Sequence, residues 1–215
     1  MTGHGNAAEK QLKERIPDKP NGREAQRLET RRRIFEAAVA EFKRTGVADA
    51  DVGAIVAAAG VARGTFYFHF PSKEHVLIEI ENAEVARAAR DLERFIAKSP
   101  DLAEVLSETV RLTKSAKRRL GKNLFRDVLA LYFSPTRPQL DPAPAKGLSV
   151  IELVIGQIEQ ARERGEVYAD VDPAHSALFF FLGLYAYLTV SHEGPQDPHA
   201  LDQYVAGVMR GLEPR

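Results

Sequence analysis

Apolar positions along this chain recur at spacings of three and four, the period of a helix with one buried side. In residues 24–45, Ile34, Phe35, Ala38, Val39 and Phe42 form such a stripe, and Gly46 ends it. Asp51 is a good N-cap for a short helix whose apolar side is Val52, Ile55, Val56 and Ala59, and Gly60 supplies the left-handed position that closes it. A second short helix, 63–69, stops before Pro71. After the N-cap Ser72, Lys73 opens a long helix to about residue 97, with Val76, Leu77, Ile80, Val85, Leu92, Phe95 and Ile96 as its apolar members. Its Glu79, Glu81 and Glu84 read as a solvated face. Further helix starts are predicted at Ser99-Pro100, Lys122, about 145, Asp172-Pro173 and Asp197-Pro198. Residues 134–146 carry four prolines and predict an irregular loop. No alternating strand pattern of useful length occurs, so the expected fold is all-α with about nine helices.

The pair 52–59 and 63–69 is the most informative stretch. Two short helices joined by a tight turn containing glycine make a helix-turn-helix, whose second helix enters a DNA major groove. Its outward side is expected to carry Ala62, Arg63, Thr65, Tyr67 and His69, a set able to reach bases and phosphates and without an acidic member.

The run Gly-Val-Ala-Arg-Gly-Thr-Phe-Tyr-Phe-His-Phe-Pro-Ser-Lys-Glu, residues 60–74, closely resembles the recognition-helix signature of the tetracycline-repressor (TetR) family. The resemblance is strong over residues 31–77, and beyond them only length and helix order follow the family. It implies that Phe66 is packing, that Tyr67 faces the DNA backbone, and that Gly64 belongs to the DNA-facing set with Arg63 and Thr65. It also implies a phosphate contact from Lys73, helped by the positive end of a helix dipole. One departure stands in the first short helix. Family members begin it with hydroxyl residues and a basic or polar residue two positions on, whereas this chain has Ala50, Asp51 and Gly53.

Composition is ordinary for a globular chain, with 44% hydrophobic and 28% charged residues in 215, enough for a core in one domain or one and a half. Net charge is zero, so no overall field attracts nucleic acid. Residues 1–75 nevertheless hold 13 Lys and Arg against 10 Asp and Glu, and 76–215 hold 17 against 20, an asymmetry favouring the N-terminal part as the DNA binder. The polar start, rich in basic residues up to Arg31-Arg32-Arg33, is expected to be a disordered arm over 1–23. A DNA-binding domain over 24–71 and a ligand-binding and dimerisation domain over 72–215 complete the predicted organisation. Without cysteine the chain has no disulfides, thiolate metal sites or cysteine nucleophile. No secretory signal is read at its start, and the 14-residue apolar run 177–190 falls short of the ~20 a membrane span needs, so a cytoplasmic protein without membrane association is expected.

The helix near 173–191 is apolar almost all round, so it must be covered on two sides. One side packs on its own chain. The other, with the stripe of the last helix, is expected to pair about a two-fold axis into a four-helix bundle. Phe180, Leu184, Tyr187, Leu188, Leu201, Tyr204, Val205, Val208 and Leu212 are the expected interface residues. The family resemblance implies the same homodimer, presenting two recognition helices to a palindromic operator in double-stranded DNA. It further implies a pocket in the body for a small hydrophobic or aromatic effector. Candidate lining residues are Phe95, Leu106, Phe125, Leu129, Ile151, Ile155 and Phe179, with Asn123, Arg126, Tyr132, His175 and Tyr185 as polar candidates.

Catalysis has no visible constellation. Ser191-His192-Glu193 are chain neighbours at a helix end, which does not create a triad, and His175, His192 and His199 lack metal-ligand spacing. No cofactor is expected. The reading is therefore a homodimeric transcriptional regulator, most simply a repressor released by its effector, and not an enzyme. The alternative is a ligand-binding or protein-interaction module whose head does not grip DNA, motivated by Ala50, Asp51 and Gly53.

Overall fold

Nine helices and no strand occur among the residues that the computed structural model describes, 22–132, 134, 149–190 and 199–214. They are α1 (Gly22–Thr45), α2 (Val52–Ala59), α3 (Arg63–His69), α4 (Lys73–Ile96), α5 (Leu102–Leu120), α6 (Lys122–Tyr132), α7 (Val150–Glu163), α8 (Pro173–Val190) and α9 (Ala200–Leu212). The expectations for most of the N-terminal arm, for the proline-rich loop, for Ser191-His192-Glu193 and for a start at Asp197-Pro198 lie outside the described residues.

The helix boundaries follow from capping chemistry. Asp51 accepts a hydrogen bond from the Gly53 amide at 2.8 Å, and Gly60, at φ 64°, ends α2 in the left-handed region. The fifth helix begins later than Ser99-Pro100 suggests. Asp101 is its cap, exchanging bonds of 2.8 and 2.9 Å with Glu104, while Ser99 sits at φ 56° in the preceding turn. Ser149 and Glu152 repeat that reciprocal box at the start of α7, which therefore begins at Val150. The serine-x-x-glutamate signal was present in the sequence but was outweighed by an apolar stripe that extends back to Leu148. Ser72 occupies the cap position of α4, yet its hydroxyl meets His75 Nδ1 at 2.9 Å instead of a backbone amide.

Helices α1 to α3 and the first turns of α4 make a small head. Ile34, Ala38, Phe42, Ile55, Phe66 and Phe70 are almost fully buried there, with Phe66 and Phe70 6.1 Å apart and Phe35 6.5 Å from Phe70. The rest of α4 packs on α5, α6 and α7, and α8 lies on α7. Within this body α8, 18 residues with mean hydropathy 1.3, is apolar and long enough for a span by composition. It is a core helix here, because Ala177, Phe180, Phe181, Leu184 and Leu188 are buried against neighbouring helices. Head and body touch at α1 and α6 as well as through α4.

Candidate nucleic-acid interface and inner cavity

Helix α3 has an inner and an outer side. Phe66 and Phe70 fasten it to α1, each buried ring being worth ~1.5–3 kcal/mol. Ala62, Arg63, Gly64 and Tyr67 lie on the exposed side, and Thr65 and His69 are half-buried at its edge. A methyl group added at Gly64 would meet nothing within 4 Å, so another molecule can approach the backbone there. Phe68, absent from the expected outward set, is 75% exposed. Its period marks it: Phe66 and Phe70 are i and i+4, so the residue midway between them points away. An exposed phenyl beside Tyr67 offers apolar contact to a thymine methyl.

The neighbouring side chains divide between reaching out and holding the head together. Lys73 Nζ donates to Ala48 O at 2.9 Å and Ala50 O at 3.1 Å, tying the turn before α2 to the start of α4. Two of its three protons are thus committed to carbonyls, and a phosphate could receive only the third. Arg31 lies 4.2 Å over the Phe70 ring and pairs with Glu79 at 2.6 Å. Arg32 bridges Glu29 and Glu36, while Arg33 is exposed. His69 has a lowered pKa because partial burial disfavours its charge and Arg31 and Arg27 add like charge. At α2 the cap explains Gly53: a Cβ there would lie 3.1 Å from an Asp51 carboxylate oxygen. Asp51 places a negative charge at the very end of α2, but that charge is already bonded to the Gly53 amide.

One polar contact joins head and body directly. Asp127 of α6 accepts a 2.8 Å hydrogen bond from the Val47 amide, in the same turn that Lys73 holds from the other side. Nothing in the spacing of the sequence pairs positions 47 and 127.

The body contains a cavity of about 190 Å³ between α4, α5, α6, α7 and α8. Five expected residues line it: Phe125, Leu129, Tyr132, Ile151 and Tyr185. The others lie elsewhere. Leu106 is fully buried in the body core, and Phe95 and Ile155 are half-buried away from the cavity. Asn123 and Arg126 are exposed, because Leu124, Phe125, Val128 and Leu129 turn the opposite face of α6 inward. His175 and Phe179 stack at 6.4 Å on the outer surface, with His175 Nδ1 3.3 Å from Asp172. The cavity also takes Glu81, Val85 and Ala88, which the spacing of α4 places on one inward stripe. Glu81 is thus no part of a solvated face: it is 4% exposed, while Glu79 pairs with Arg31 and Glu84 with Arg119 at 2.5 Å. Burial raises the Tyr185 pKa, and Tyr132 and the charge of Glu81 add to it.

The expected pairing residues are mostly used inside the chain. Phe180, Leu184, Leu188, Leu201, Val205 and Leu212 are buried, and Tyr187, Tyr204 and Val208 half-buried. Tyr204 donates to Phe180 O at 2.6 Å and stacks on Phe180 at 5.7 Å. A Cβ at Gly183 would lie 2.5 Å from the Tyr204 hydroxyl, so that approach needs glycine. The outward stripe of α8 is instead Phe179, Leu182, Ala186 and Val190, with Phe179 67% and Val190 70% exposed. A helix apolar on every side does not announce which side faces in, and the register was assigned to the opposite flank.

Residues 34–80 match the family described as bacterial regulatory proteins, tetR family. The HTH-type transcriptional regulator AcrR of Shigella flexneri is 37% identical over 97 residues, 42% of this chain and 45% of that protein, so the match spans less than half of that regulator's length. The A-factor receptor protein of Streptomyces griseus is 27% identical over 156 residues, 72% of this chain and 52% of the receptor. Among solved structures, the TetR family protein CprB from S. coelicolor A3(2) is 25% identical with a TM-score of 0.58, covering 88% of this chain and 91% of that one.

Proposed function

The chain belongs to the tetR family of bacterial regulatory proteins, and on that footing we propose that it is a homodimeric DNA-binding regulator of transcription. It acts as a repressor that leaves a palindromic operator when a small hydrophobic or aromatic effector enters the body. The observation that carries the DNA-binding half is α3 itself: a helix anchored by two buried phenylalanines with Arg63, Gly64, Tyr67 and Phe68 left on its outer side. Arg63 and Thr65 read bases or phosphates, Tyr67 meets the backbone, and Phe68 adds an apolar base contact. Lys73 positions the turn before α2 and offers its remaining proton to a phosphate. His69 sits at the edge of this surface, and Ala62 leaves it room. Function of this kind places the protein in the cytoplasm.

The ligand half rests on the cavity, whose walls are mainly aliphatic and aromatic. Its α6 wall carries Asp127, so an occupant that shifts α6 also shifts the turn held by Asp127 and Lys73. Effector and DNA then favour different positions of the head, and each weakens the other's binding by linkage. The dimer uses the outward stripe of α8, since an apolar strip on an otherwise covered helix is relieved by a second copy. The division of labour is a DNA-binding head over 24–71 and a body over 72–215 for ligand and pairing.

Sedimentation of the chain, and of a Phe179→Lys, Val190→Lys double variant, tests this arrangement. The expected result is a dimer that the variant splits, with loss of binding to any two-fold symmetric duplex. A variant that remains a dimer removes α8's outer stripe from the interface. The second reading, a head that does not grip DNA, is favoured only by Asp51 at the end of α2. The bond from the Gly53 amide reduces the force of that objection.

A further inference from the structure

We propose that the cavity takes an amphiphilic cation, an apolar body carrying one protonated nitrogen, with Glu81 as the group that meets the nitrogen. This rests on the reading of the cavity as an effector site and names the effector's chemical class. The described walls contain two ionisable acids and no basic side chain. Glu84 is occupied by Arg119 on the rim. Glu81 lies deeper, 4% exposed, on the same α4 stripe as Val85 and Ala88. A carboxylate placed among apolar walls is costly unless a donor or opposite charge reaches it.

The basic run of α5 is directed elsewhere. Lys117 Nζ donates to Leu188 O at 2.6 Å, Arg119 holds Glu84, and Lys114 and Arg118 are exposed. An anionic ligand would therefore find two acids and no counter-charge among the described walls. A cation would also find the rings of Phe125, Tyr132, Phe181 and Tyr185 around the same space, and aromatic faces attract a desolvated cation. The volume of about 190 Å³ suits a short chain or a single ring.

Calorimetric titration of the full chain with octylamine, 1-octanol and octanoate, matched in apolar body and different in head group, tests the proposal. Octylamine is expected to bind at least ~10-fold more tightly than octanol, the value of one charge-assisted hydrogen bond, with octanoate weakest. Glu81→Gln should bring octylamine to the level of octanol and leave octanol unchanged. Leu129→Trp should fill the space and abolish binding of all three. Octanoate binding as tightly as octylamine overturns the charge class, while loss of binding in Leu129→Trp would still uphold the effector cavity. An amine preference that persists in Glu81→Gln overturns the role of Glu81. Absence of binding by all three ligands overturns both this proposal and the effector reading. The ranking in the unaltered chain decides the charge class even if a variant fails to fold.

Discussion

The head and the body are built to different tolerances. In the head a handful of phenylalanines fill a small core, and specific polar bonds fix the backbone around it: Asp51 to Gly53, Lys73 to Ala48 and Ala50, Asp127 to Val47. Each turn there has an identified clamp. The body is larger, held mainly by broad apolar contact, and it leaves a cavity of about 190 Å³ among five helices. Close-packed interiors resist continuous deformation, so the part with slack is where a ligand changes shape and the clamped part is where that change is read as a rigid displacement. On this view Asp127 matters because it is a polar bond spanning the two regimes.

The largest expected effect is on the tightly built side. Phe66→Ala should cost ~3–5 kcal/mol, because the head core is too small to collapse around the void. Denaturant unfolding monitored together with DNA binding checks this, and near-neutral stability would mean that the head is not close-packed. Next, Arg63→Ala should lose ~1–3 kcal/mol of DNA affinity and relax base preference at one position, whereas Tyr67→Ala should weaken all sequences alike. Unchanged selected sites for the Arg63 variant would take it off the base-reading surface.

The link between the regions gives the third test. Asp127→Ala strands the Val47 amide, at a cost of ~1–3 kcal/mol, and should reduce the effect of a cavity ligand on DNA affinity while leaving ligand affinity intact. Asp127→Asn keeps an acceptor and should behave like the unaltered chain. Equal coupling in the alanine variant would show that α4 alone carries the signal. A smaller effect separates two roles of Lys73. If it only clamps the turn, Lys73→Ala lowers DNA affinity with the salt slope unchanged; if its remaining proton meets a phosphate, the slope falls by about 1.

The smallest effect is the pH response of His69. Its pKa in the free protein is depressed, so at mildly acidic pH the unfolded chain binds more protons there than the folded one. The stability that His69 contributes is present above the ordinary histidine pKa and declines as pH falls through the lowered value. Phosphate contact would raise that pKa, so DNA binding should take up a proton and strengthen as pH falls from about 8 to 6, a slope lost in His69→Ala. A flat pH profile would remove His69 from the interface.

How much of this was legible in the sequence differs between the same two regions. In the head, caps, a left-handed glycine and a 3.6 period agree with one another, so both helix boundaries and the inward Phe66 and Phe70 could be read directly. Phe68 was missed although the same period points it outward, because a phenylalanine reads as core by type. In the body the period was clear for α6, yet Asn123 and Arg126 were taken for polar pocket residues when they occupy the side opposite Phe125 and Leu129. Helix α8 has no polar side to orient it, so Phe180 and Phe179 exchanged places between surface and core. Glu81 was hidden by its company: three glutamates in one turn and a half look solvated unless the neighbouring helices are known to cover one of them. Contacts such as Asp127 with Val47 join distant positions through tertiary packing and leave no local pattern.

Selection of binding sites from a random duplex pool, at two salt concentrations, tests the central claim most directly. The account predicts recovery of a palindrome whose half-sites lie one helical turn or a multiple apart, bound by two chains and more weakly at the higher salt. Recovery of no motif, with only weak salt-sensitive retention, would contradict it and leave a protein whose head does not read DNA.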